Sequence, residues 1–167
     1  MKKELRSPKN QGTFRPAEYV RKAPLDEMIA EIGRASPESS IYVGTDSIRA
    51  GRDYTRFCRV VVLHFDSRHG ARYWVDGWRE YKKMGIREKL LKEVHYSVEM
   101  ALQLVDAVGE RNFEVHLDVN PDPKWESNIV HDEAMGYVSA HGLVPQGKPG
   151  GIAAYMVADW VLRHSSW

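Results

Sequence analysis

The sequence predicts one mixed α/β domain, and three observations point to it. Three β-prone runs, at 41–46, 57–65 and 71–75, follow one another through short turns, as an antiparallel meander does. A long amphipathic stretch at 87–108 then carries apolar residues at helical spacing. After it, strand and helix patterns alternate to the end, the order that builds mixed α/β sheets. At 167 residues the chain has the usual size of one domain and can bury a real core.

Residues 1–22 are polar, with Lys2, Lys3, Arg6, Lys9, Arg15, Arg21 and Lys22 and no apolar period, and read as a surface arm. Pro24, Leu25, Asp26 and Glu27 open a helix, since proline suits the first turn and acids suit its positive end. It runs to Gly33 with Leu25, Met28, Ile29 and Ile32 on one face, and Ser36-Pro37 breaks it. The run 41–46 ends in Asp46, Gly51 and Asp53 suit the following turn, and Val60 to Leu63 centre the strongest strand. The turn at 66–70 leads into the third strand.

The helix at 87–108 carries the stripe Leu90, Leu91, Val94, Val98, Ala101, Leu102 and Val105, and Gly109 is placed to stop it. A fourth strand spans 113–119, cut off by Asn120-Pro121-Asp122-Pro123. A helix at 127–141, a short fifth strand at Leu143 and Val144, a loop at 147–151 and a last helix at 152–163 complete the chain.

Composition narrows the function. Hydrophobic residues make up 43% and charged residues 28%, a globular rather than disordered balance. The formal net charge of +1 exerts no whole-molecule pull on nucleic acid, so any basic surface is local. Cys58 is the single cysteine, which excludes an internal disulfide and a cysteine-built zinc site. Charged residues follow Lys2 and Lys3 where a signal peptide needs an apolar run, and no stretch is long and apolar enough to cross a bilayer. The expectation is a cytoplasmic protein with no membrane partner; oligomeric state is not legible.

Three aspartates need a reason. Asp159 is the one charged side chain between Lys148 and Arg163, in a helix apolar nearly all round. Such a helix is expected to be buried, and a carboxylate in it costs free energy unless a cation or hydrogen bonds compensate. A salt-bridged aspartate on one exposed line is the plainer reading. Asp46 ends an apolar strand, where a turn aspartate is the plainer reading. Asp118 follows Phe113, Val115 and Leu117 on one face of its strand, sharing the other face with Glu114 and His116. Together the three can converge at one edge of a sheet, where α/β sites form.

Gly44-Thr45-Asp46-Ser47 ahead of a meander, Leu117-Asp118-Val119-Asn120-Pro121 and Ala158-Asp159 resemble, in this order, active-site segments of the RNase H-like superfamily. More narrowly, Tyr42 to Ser47, Leu117 to Pro121, Ser127-Asn128, Gly136-Tyr137, Lys148-Pro149 and Ala158-Asp159 resemble the YkuK-type family of uncharacterised bacterial proteins. The resemblance implies an RNase H-like five-stranded mixed sheet, a three-strand antiparallel meander plus parallel strands, flanked by helices. It covers about 39–163, which sets the domain at 39–167 and leaves 1–38 as a preceding basic arm and helix.

It also implies a metal-dependent nuclease acting on RNA, DNA or a hybrid. Its site would be Asp46, Asp118, Asp159 and a glutamate of the long helix, holding two Mg²⁺ or Mn²⁺ ions with substrate. Glu88, Glu93 and Glu99 are the candidates, and Glu93 matches the family spacing before Ala101 and Leu102. Hard oxygen ligands suit those ions.

Ser47 and Asn120, close in sequence to Asp46 and Asp118, and Lys148, in the glycine-rich loop before the last helix, are candidate substrate contacts. Lys82, Lys83 and Arg87, interleaved with Trp78 and Tyr81, suit a groove that tracks phosphates and stacks bases; a solvated helix entry is the plainer reading. His116 and His131 are candidate supports or proton carriers for the acids. The competing expectation is a non-catalytic nucleic-acid or protein binding module on the same fold.

Overall fold

The β-branched run at 57–65 forms the middle of the sheet because only a strand buried on both faces can shelter Val60, Val61, Val62 and Leu63 at once. In the computed structural model, which describes residues 18–151 and 153–167, this run lies in β3. The described elements are β1 (Glu18–Arg21), α1 (Leu25–Arg34), β2 (Ser40–Ala50), β3 (Tyr54–His64), β4 (Ala71–Glu80), α2 (Ile86–Val108), β5 (Asn112–His116), α3 (His131–Ala140), β6 (Val144–Gln146) and α4 (Ala153–His164). They form an α/β fold whose six strands are ordered β1-β4-β3-β2-β5-β6. The strands β2, β3 and β4 make the antiparallel meander, while β2–β5 and β5–β6 are parallel pairs.

One strand more than expected is present. Glu18 to Arg21, part of the stretch read as a surface arm, adds antiparallel to the edge of β4. Its side chains are all exposed, so no apolar alternation marks it in the sequence. The basic residues Lys2, Lys3, Arg6, Lys9 and Arg15 of that arm lie outside the described residues.

Alternation along β2 sorts the two faces. Ile41 and Val43 point into the larger core, with Met28 and Ile32 of α1, Val94, Val98 and Leu104 of α2, and Ala134 and Val138 of α3. Tyr42 and Ile48 point the other way, toward Val60, Val62 and Val75 and toward Ala154, Ala158, Val161 and Leu162 of α4. Three helices therefore cover one face and α4 covers the other.

The apolar stripe of α2 is shifted from its expected position. Leu102 and Val105 are exposed, while Met100, Leu104 and Val108 are buried. The buried arc lies one residue to the side, because α1 and α3 pack against that flank. Nor is α4 buried all round: Met156 and Trp160 are 56% and 57% exposed. Among the described residues no helix lies beyond it, and α4 buries one side only.

Trp78 is almost wholly buried and stacks on Phe57 with ring centroids 5.5 Å apart, so it is core and has no free face for a base. Among the described residues no helix is long and apolar enough to cross a membrane.

Candidate active-site cleft

The site begins where β2 loses a partner. Its parallel pairing with β5 stops at Gly44–His116, yet β2 continues to Ala50 beside β3. Asp46 is therefore inside a long strand rather than at its end. Beyond His116 the chain turns to β6, with the Leu117 amide donating to Gln146 O and the Lys148 amide to Val119 O. This split between parallel strands, at their carboxyl ends and where the chain direction across the sheet reverses, is the position at which α/β sheets open a crevice.

Gly44 allows α4 to close one wall. A Cβ there would stand 2.9 Å from Ala154 Cβ and 3.0 Å from His116 O, so only glycine lets the helix start sit so near β2. His116 fixes the same junction. Its Nδ1 accepts the Ala154 amide at 3.2 Å and its ring stacks on Tyr42. Nδ1 therefore carries no hydrogen, so Nε2–H donates to Glu114 Oε2 at 3.0 Å. Burial holds the imidazole below its ordinary pKa, against the pull of Glu114.

One cavity of about 490 Å³ results, with Asp46, Asp118 and Asp159 all on its lining. Lys148, Tyr155, Trp160, Arg163 and His164 share it. Asp46 is 8% exposed and its Oδ1 accepts the Ser47 amide at 2.8 Å. Burial first, then the carboxylates of Asp118 and Asp159, push its pKa up to about 6, against Lys89 and the Ser47 amide. Asp118 Oδ1 is buried without a hydrogen bond of good geometry, and Lys148 Nζ forms its ion pair. Burial alone would lower the Lys148 ammonium, but Asp118 more than offsets this and raises it. The Arg163 Nε donates to both oxygens of Asp159, at 2.6 and 2.8 Å.

Glu93 lies on the other side of β2. Ser47 Oγ donates to its Oε1 at 2.5 Å, and Lys89 Nζ donates to Oε1 at 3.1 Å and to Ser47 O at 3.0 Å. Burial pushes Glu93 up to about 7, with Asp46 adding to the rise and Lys89 opposing it. The two acids thus sense one another past the open edge of β2. The other two helical glutamates are surface groups, Glu88 paired with Lys82 and Glu99 with Arg59.

The remaining expected contacts divide. Ser47 touches Glu93, and Lys148 lines the cleft. Asn120 is spent on its own loop, its Oδ1 accepting the Asp122 amide. Lys82 and Arg87 are held by Glu88 and Glu133, Lys83 is exposed nearby, and none of the three lines the cleft. His131 pairs with Asp132 at the start of α3, away from the cavity. Tyr155, Trp160, Arg163 and His164 join the cleft without a motif to mark them. Their i±4 spacing from Asp159 and from one another was the available signal.

The carboxylates suit a hard divalent cation as donors: three line one cleft, and Asp118 Oδ1 is buried with the Lys148 ammonium as its partner. Among the described residues, however, no three His, Cys, Asp or Glu groups form a ready metal-binding set. Lys148 and Arg163 occupy the places beside two of the acids, so a divalent ion would have to displace them.

A mixed sheet with an acid-lined cleft at its parallel split, walled by a final helix, defines the class of protein. The family model described as Ribonuclease H-like matches residues 25–163, most of the chain, and the chain belongs to that family. The match takes in α1, which shares the core of the sheet. No curated protein matches the sequence.

Proposed function

We propose that the protein is a metal-dependent nuclease that hydrolyses phosphodiester bonds in RNA, DNA or a hybrid. The observation that carries this reading is the meeting of Asp46, Asp118 and Asp159, from three elements distant in sequence, on one cleft. Membership of the Ribonuclease H-like family supports it.

Asp46, Asp118 and Asp159 would hold Mg²⁺ or Mn²⁺, with Glu93 completing the set from across β2. Such ions, when bound, make a water nucleophilic near neutral pH and neutralise charge on the attacking and leaving oxygens. The chain's own groups do the rest. Burial and repulsion between carboxylates raise Asp46 and Glu93 in the metal-free chain, and a bound cation would offset that cost by holding both ionised. Lys148 and Arg163, once released from Asp118 and Asp159, are placed to pair with phosphate oxygens. His116 keeps α4, and so Asp159, in register with β5.

A second reading has its own support. Each of the four acids already has a basic neighbour in Lys89, Lys148 or Arg163, which suits a non-catalytic nucleic-acid or protein binding module. Mn²⁺-dependent cleavage of labelled RNA, DNA and hybrid by the parent, lost in Asp46→Asn, is expected of the nuclease. Cleavage that persists unchanged in Asp46→Asn sinks it.

A further inference from the structure

The outer face of α4 carries a stripe that the carboxylate chemistry does not use. Met156, Trp160 and His164 lie one helical turn apart. The indole of Trp160 is 57% exposed, although aromatic side chains of this size carry a large apolar area that burial favours. It is also held in place: His164 stacks on it with centroids 4.8 Å apart at 22°, and His164 Nδ1–H donates to Trp160 O at 2.8 Å. An ordered, exposed pair of stacked rings offers a flat π surface without an ordering cost on binding.

Trp160 and Met156 stand between two cavities. On one side is the acid cleft, where Lys148 and Arg163 supply positive charge. On the other is an apolar recess of about 330 Å³, lined by Tyr73, Met156, Val157 and Trp160. A ligand matched to both compartments has a flat apolar ring joined to an anion. A nucleotide unit has that form, and its base is free to enter the recess only when it is unpaired.

We infer that Trp160, with Tyr73 and Met156, is a stacking platform for unpaired bases, so that the substrate class of the cleft is single-stranded nucleic acid. The inference rests on the nuclease reading for its phosphate side and goes beyond it in naming the strand state. An aromatic platform takes any base, because each has a π face, so little sequence preference is expected. A hybrid or duplex keeps its bases stacked inside and presents no ring to the recess.

The test is fluorescence anisotropy of the full-length chain in Ca²⁺, with a labelled dT oligomer, a labelled rU oligomer and a blunt RNA–DNA hybrid as probes. Trp160→Ala should weaken binding of both single strands roughly ten-fold, the loss of about one stacked base. Trp160→Phe should restore most of it, and hybrid binding and melting temperature should stay at the parent's values. Tyr73→Ala, on β4 rather than α4, should weaken single-strand binding in the same direction. Equal affinity of parent and Trp160→Ala for the single strands overturns the inference, as does an equal loss on single strand and hybrid. A parent that sediments as a dimer and becomes a monomer in Trp160→Ala, with oligomer binding unchanged, assigns the face to a second copy and also overturns it. Failure of the nuclease reading looks different: cleavage would be absent or indifferent to Asp46→Asn while the Trp160 effect on binding persisted.

Discussion

His116 Nδ1 accepts the amide hydrogen of Ala154, tying the last residue of β5 to the first turn of α4. That bond decides where Asp159 stands, because α4 is rigid from Ala153 to His164 and covers its face of the sheet alone. It does for this helix what an N-cap side chain does elsewhere, satisfying an amide that the helix itself leaves free. His116→Phe should keep the stacking on Tyr42 but leave that amide unpaired in a buried place, costing about 1–3 kcal/mol. Urea denaturation measures the loss, and hydrogen exchange should show it concentrated in the first turn of α4. An unchanged denaturation midpoint would refute the anchoring role.

Gly44 serves the same junction through its missing side chain. With Ala154 Cβ 2.9 Å from the position of an added Cβ, Gly44→Ala must push α4 or β5 outward. The expected cost is about 1–3 kcal/mol from overpacking. Gly44→Val should prevent the native seating of α4 altogether. Thermal melts of the two variants order them, and a Gly44→Val protein as stable as the parent would show that the contact is slack.

Lys148 and Arg163 compete with divalent ions for the same carboxylates. Lys148→Met and Arg163→Gln should therefore each bind Mn²⁺ more tightly than the parent, by several-fold in calorimetric titration. Mn²⁺ should also raise the melting temperature of the parent by mass action, and raise it less in Asp46→Asn. Parent-like Mn²⁺ affinity in both cation variants would mean that the ion pairs place no barrier on the site.

The buried acids make stability depend on pH. Asp46 and Glu93 are raised above their ordinary values of 3.8 and 4.5, to about 6 and about 7. Folding therefore favours their protonated forms. Stability is fully present below about pH 4 as far as these groups are concerned, and is lost as pH rises through about 6 to 7. Asp46→Asn removes one of the two costs and should stabilise the metal-free protein at pH 8 by on the order of 2 kcal/mol. The gain should shrink as pH falls to 5. A gain that does not change with pH would mean that Asp46 titrates normally.

Much of this protein was legible in one dimension. The β-branched run at 57–65, the turn at 66–70 and the break at Asn120-Pro121 set strands and their ends through local sterics and through alternation, both of which act over a few residues. The order of the three aspartates along the chain was equally visible, since a carboxylate in an apolar setting is conspicuous wherever it falls. Other features depended on what lay opposite. Edge strand β1 shows no pattern because hydrogen bonds to β4, not burial, hold it there. Leu102 and Val105 face water, and Met100 and Leu104 face the core, because the placement of α1 and α3 selects which flank of α2 is covered. Trp78 lies among basic residues in the sequence, and only Phe57, from the neighbouring strand, makes it a core ring. Most of all, the cleft exists because β2 outruns β5, and Lys148 comes from a loop that spacing alone could not bring to Asp118, whereas Arg163 reaches Asp159 by helical spacing. Residue type and local period determined the elements and the acids; the lengths and crossings of distant segments decided which groups meet, because contact energies fall off within a few ångströms and only the folded chain sets those distances.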